Sequence, residues 1–150
     1  MNEELYNTSL SPILKTANTT LDDLKVYILS LSEFDALKLS FSFEEIKSAH
    51  KKYRSFLSGL LKQVDSLEHE VANIARLMNK LDKADDIDGI KRLSNIFESY
   101  ISWKKAVNEF IMKSDDIFKN KGEKFKLSLN LIYTRSFISA TENFISELEK

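Results

Sequence analysis

The side chains with the most chemical capacity are few and widely separated. Two histidines, His50 and His69, are the only imidazoles. Di-iron helical bundles place a Glu three residues before a His, so that both project from one helix face into the core. Lys47 and Ser66 hold those positions here, and no imidazole-based metal centre is expected. The chain has no Cys, which removes disulfides, thiolate metal sites and a cysteine nucleophile. The run Asp82-Lys83-Ala84-Asp85-Asp86-Ile87-Asp88-Gly89 comes nearest to a calcium loop, with Asp86, Asp88 and Gly89 in the third, fifth and sixth places. Ala84 and Asn95 stand first and twelfth, where an Asp and a bidentate Glu are needed. A solvated capping turn is the expected role. Three glycines make neither a phosphate loop nor a nucleophile elbow. Glu68, Glu70 and Glu109 have no base or nucleophile near them in sequence. No metal, cofactor or catalytic residue is expected, and the chain does not read as an enzyme.

Binding chemistry is better represented. Lys47, Lys51, Lys52, Arg54 and Lys62 follow one another without an intervening acid, and the i, i+4, i+7 spacing puts Lys47, Lys51 and Arg54 on one helix face. Lys119, Lys121, Lys124 and Lys126 fall at the same end of the expected fold. Asp82, Asp85, Asp86 and Asp88 fall at the other. The expectation is a dipolar rod, with Lys47, Lys51, Arg54, Lys121 and Lys124 as candidate anion or partner contacts and the four aspartates as an acidic tip. In sum 22 basic and 23 acidic residues nearly cancel, so no bulk field draws the chain to nucleic acid. The basic patch is small and lacks interleaved aromatics, which favours a solvated face over phosphate binding.

These residues need helices to hold them. With 3 Gly and 1 Pro in 150 residues, the chain lacks the turn punctuation of sandwiches and barrels, and its length suits one domain. Ser11-Pro12 reads as a helix start after a flexible tail of residues 1–10. Leu14, Ala17, Leu21, Leu24, Ile28 and Leu31 then form a stripe over residues 11–31. Ser42-Phe43-Glu44-Glu45 is a capping box. Behind it Phe43, Ile46, His50, Tyr53, Leu57, Leu60, Val64, Leu67, Val71, Ile74, Met78 and Leu81 keep a 3–4 alternation to residue 83, the pattern of a long coiled-coil helix. Over residues 86–119 one seam (Ile90, Leu93, Phe97, Tyr100, Val107, Ile111, Phe118) runs beside a second (Ile96, Trp103, Phe110, Ile117). Two seams require two neighbouring helices. A fourth helix is expected over residues 131–149. Trp103 reads as a core anchor, His50 as a packed ring, and Lys104 as a snorkelling cation.

Two segments, residues 37–41 and 125–131, alternate apolar and polar with period two and read as short strands that pair at one end of the bundle. The fold expectation is thus an all-α, elongated up-down-up-down helical bundle. It includes a long antiparallel coiled-coil hairpin and a two-stranded ribbon. An exposed ribbon edge would recruit a second copy, giving a homodimer. No apolar run approaches the roughly 20 residues of a membrane span, and no basic, apolar leader opens the chain, so a cytoplasmic setting is the default, with export lacking a cleaved signal as the other route. The leading function is a non-catalytic protein–protein interaction module binding through helix faces: an adaptor, chaperone-like, toxin-neutralising or structural subunit. The alternatives are a nucleic-acid or anionic-surface binder working through the basic end, and a small-ligand sensor.

Overall fold

The computed structural model describes residues 3–83, 86–119 and 125–150. Four α-helices account for most of them: α1 (Glu3–Ser30), α2 (Phe43–Lys83), α3 (Ile87–Lys119) and α4 (Leu127–Glu149). A 3-10 turn at Leu31–Glu33 closes α1. Each helix packs against the next, and α4 returns to α1, which closes the bundle. Cross-helix pairs set the directions. Thr16 meets Glu70 while Asp23 meets Gln63, Tyr53 meets Asp115 while Glu68 meets Lys104, and Ser114 meets Asn130 while Trp103 meets Thr141. In every pair one number rises as the other falls, so successive helices are antiparallel.

The local signals explain where helices begin. Glu45 N–H donates to Ser42 Oγ at 3.1 Å and Ser42 N–H to Glu45 Oε1 at 3.0 Å, the reciprocal capping box of α2. Lys38 also pairs with Glu45 at 2.8 Å, and this ammonium, followed by the Ser42 amide, holds the Glu45 carboxyl below its usual range. Asp86 caps α3 by accepting the Gly89 amide at 3.0 Å. A Cβ at Gly89 would sit 2.9 Å from both Asp86 Oδ2 and Leu81 Cδ1, so any side chain there would have to displace the cap or Leu81.

The N-terminal tail is the first correction. Residues expected to form a free tail up to residue 10 are helical from Glu3, and Pro12 lies inside α1 rather than at its start. The Thr16 hydroxyl lies 3.1 Å from the Pro12 carbonyl, and the helix runs on through the proline because Leu10 and Ile13 are buried on either side of it. The buried line of α1 is Leu10, Ile13, Ala17, Thr20, Leu24, Tyr27 and Leu31, with Leu14, Leu21 and Ile28 half-buried beside it.

The ribbon is the second correction: no strand occurs among the described residues. In the 37–41 segment the Leu37 amide donates to Asp35 Oδ1 at 3.0 Å and the Lys38 amide to the Asp35 carbonyl at 3.1 Å. A local Asx turn thus engages the first two amides of the segment. Of the 125–131 segment, everything from Leu127 is helix, so α4 starts four residues earlier than the alternation implies. Asn130 is buried there while Leu129 is exposed, the reverse of the period-two pattern. Without strands, the edge that was to recruit a second copy is gone, and the ribbon-mediated homodimer has no basis.

Aromatic rings fill the centre. Tyr27 stacks on Phe56 at 4.9 Å, Phe110 meets Phe137 at 5.2 Å, and Phe118 and Phe41 each meet Phe125, at 5.4 and 5.3 Å. Trp103 is fully buried among Tyr100, Phe137 and Phe144. Both seams of α3 contribute to this core: Phe110 of the second meets Tyr53 and Phe56 of α2 as well as Phe137 of α4, while in the first Tyr100 meets Phe144 of α4 and Phe97 is left exposed. Polar groups thread this core in satisfied pairs: Tyr27 Oη donates to Asn130 Oδ1 at 2.7 Å, and Tyr53 Oη to Asp115 Oδ1 at 2.8 Å. Burial pushes both phenols above the ordinary tyrosine range, against the Asn130 bond at Tyr27 and with help from the Asp115 carboxylate at Tyr53. The folded-state values therefore exceed the unfolded value of about 10. Their contribution is complete below about pH 10 and is lost as pH rises beyond it. An alkaline absorbance titration should show at least two of the five tyrosines ionising only as helix content collapses; five tyrosines titrating freely near pH 10 would contradict it.

Candidate functional site: the α1–α2 groove and the loop above it

The α1–α2 seam carries polar pairs and open clefts along its outer side. Thr16 Oγ1 donates to Glu70 Oε1 at 3.1 Å, Thr20 Oγ1 to Gln63 Oε1 at 2.7 Å, and Gln63 Nε2 to Asp23 Oδ2 at 2.6 Å. Small and polar side chains leave the helices incompletely joined on their outer side, and clefts of about 330, 450 and 640 Å³ follow one another along it. The first two share Pro12 and Glu70. The largest lies near the α1–α2 connection, lined by Asp23, Val26, Tyr27 and Ser30 of α1 and by Ser48, Lys51, Lys52, Ser55, Phe56 and Gly59 of α2. A Cβ at Gly59 would meet only Asp23 Oδ2, at 3.9 Å, so this glycine deepens the cleft.

Cations rim the groove from end to end: Lys51 and Lys52, then Lys15 and Lys62, then Arg76 and Lys80. Its carboxylates are Asp23, engaged by Gln63, and Glu70. Burial raises the Glu70 carboxyl above its usual range, opposed by the Thr16 hydroxyl. Farther round α2, steps of three or four residues pick out Lys47, Lys51, Arg54, Ser58, Lys62, Asp65, His69, Asn73, Arg76, Lys80 and Lys83, and every one is exposed. Asp65 is the only acid among them. None of the seven cations makes a salt bridge among the described residues.

Of the residues expected from sequence to bind anions or partners, Lys47, Lys51 and Arg54 are together on this exposed face. Lys121 and Lys124 lie outside the described residues, as does Asp85. At the opposite end Asp82 and Asp88 are exposed, whereas Asp86 is half-buried and acts as the α3 cap. Of the three described aspartates, Asp86 is thus engaged in the cap. The dipolar picture also needs revision, since Arg76, Lys80 and Lys83 carry positive charge to the very end where those aspartates are. Sequence reasoning missed this continuation because Glu68 and Glu70 interrupt the linear order. In three dimensions Glu68 turns to Lys104 of α3 and Glu70 to Thr16 of α1, and the cations between keep the outer face.

Above the groove, the α1–α2 connection and the helix ends beside it carry apolar side chains that the bundle does not cover. Leu37 and Leu39 are 84% and 92% exposed, and Phe43, Val26 and Leu29 are each about two-thirds exposed. His50 is half-buried, its ring 5.1 Å from Phe118 and 6.4 Å from Tyr53. Among the described residues no group of three or more His, Asp or Glu side chains is placed to hold a metal ion, and no helix is long and apolar enough to cross a membrane.

Fold and groove together define a four-helix bundle with a basic outer cleft. Compared with known proteins, the chain matches no family model, no curated protein and no solved structure.

Proposed function

We propose that the chain is a non-catalytic helical interaction module, cytoplasmic in setting, that binds a protein partner through its helix faces and the α1–α2 loop. The observation that carries this reading is the pair Leu37 and Leu39, which a monomer leaves almost wholly in water. The same connection buries Phe41 against Phe125, so it is anchored and yet presents its leucines outward. Fully burying a leucine contributes about 1.5–3 kcal/mol, and a rigid display lowers the ordering cost of binding. A second reading, binding of nucleic acid or an anionic surface, has the cations of α2 in its favour.

The test is affinity capture from the native cell with the wild-type chain and with Leu37→Ser/Leu39→Ser. A partner held by the wild type should be lost from the variant, by about a hundredfold in affinity, while both give the same circular dichroism. Equal recovery by both chains would remove the loop from the interface.

A further inference from the structure

Like charges four residues apart on a helix repel, as Lys47 with Lys51 and Arg76 with Lys80 must here. None of these cations is in a salt bridge among the described residues; Asp65 stands on the same face and Asp23 and Glu70 line the groove, which leaves an excess of positive charge that an acidic partner would complement. The cations are spaced by whole helical turns: Lys51 to Lys62 spans eleven residues, Lys62 to Arg76 fourteen, and Arg76 to Lys80 four. They accordingly stand in a line parallel to the groove, over about 44 Å at 1.5 Å per residue. A second helix laid along α2 repeats with the same period, so acids along one of its faces would run beside this line. Ser55, Gly59 and Ser66 keep the groove floor low enough for close approach, and the exposed Val26 gives an apolar foothold.

We propose that the α1–α2 groove, with the cation line on its α2 rim, is the docking site for an acidic amphipathic helix of the partner, a conclusion that rests on the interaction-module reading. Nucleic acid fits less well. Duplex DNA presents about one charge per 1.7 Å, far denser than this line of cations. Single strands are gripped by stacking on open aromatic rings, whereas the two rings of the groove, Tyr27 and Phe56, are buried in the core.

The probe is a synthetic alanine-based helix of about 30 residues with Glu at i, i+4, i+7 and i+11, titrated calorimetrically into the full chain. Three companions are a Glu→Gln version, a version of equal charge broken by prolines, and a 15-nucleotide single strand. The Glu helix should bind at least tenfold more tightly than any of them and weaken as salt rises. Lys51→Glu/Lys62→Glu/Arg76→Glu should bind it at least tenfold more weakly. Gly59→Leu, which fills the cleft without changing charge, should do the same, with helix content unchanged in both. Leu37→Ser/Leu39→Ser should bind the Glu helix like the wild type, which separates failure of the loop reading from failure of the groove. Equal binding of the proline-broken peptide, equal or tighter binding of the oligonucleotide, or unaltered affinity in both groove variants would overturn the proposal.

Discussion

Trp103→Ala should lower the unfolding free energy by about 3–5 kcal/mol and the melting temperature by about 10 °C for a chain of this size. The indole is fully buried where α3 meets α4, with Tyr100, Phe137 and Phe144 around it. Its Nε1–H donates to Thr141 Oγ1 at 3.0 Å, while Thr141 itself donates to the Phe137 carbonyl at 2.8 Å. Removing the ring opens a large cavity and costs one hydrogen bond. Phe in its place should cost less than half as much, because most of the volume returns and the Thr141 hydroxyl keeps its carbonyl partner. Urea unfolding of the three proteins decides it: a Trp103→Ala midpoint within experimental error of wild type would mean that the α3–α4 seam does not hold the bundle.

Trp103 was legible in sequence because an apolar residue on a second seam has one explanation, a second neighbouring helix. The capping box at Ser42 and Glu45 was legible for a similar reason: both partners lie within four residues, so no long-range contact is needed to form it. The start of α1, the part of its buried line beyond Ala17, Leu24 and Leu31, and the start of α4 were not. Their buried lines contain Thr20 and Tyr27 in α1, and Asn130, Thr134 and Thr141 in α4. A hydrophobic pattern passes over such residues, since their burial becomes tolerable only when a partner from another helix, or the preceding turn, satisfies them. Thr134 bonds the Asn130 carbonyl at 2.7 Å and Tyr27 bonds Asn130 itself. With those positions counted as polar, the apolar remainder around Leu127, Leu129 and Leu131 alternates, and a strand is the natural misreading. The candidate site shows the same limit. Lys47, Lys51 and Arg54 were visible as a local cluster, but the line extending to Lys80 emerges only once Glu68 and Glu70 are seen to turn toward other helices.

Asn130→Asp tests that hidden polar core most severely, and its effect should depend on pH. Asn130 joins three helices: its Oδ1 accepts from Tyr27 of α1 and its Nδ2 donates to Ser114 of α3 at 2.9 Å, with all three residues buried. An aspartate has nearly the same shape. Protonated, it can donate where the amide did, and the network survives. Ionised, it places an unpaired charge in the core, so burial must raise its folded-state pKa above the unfolded value of about 3.9. A group raised in the folded state stabilises fully below its unfolded pKa, and that stability drains away as pH climbs toward the folded pKa. A shift of about three units corresponds to about 4 kcal/mol. The variant should therefore approach wild-type stability near pH 4 and fall about 4 kcal/mol below it by pH 8. Asn130→Ala should lose a smaller amount, about 1–3 kcal/mol for the orphaned Tyr27 and Ser114 hydroxyls, at every pH. Urea titrations of the three proteins across that range give the comparison directly. A gap between Asn130→Asp and wild type that stays constant with pH would mean the side chain at 130 is solvated, and the Tyr27–Asn130–Ser114 bridge would then not be part of the core.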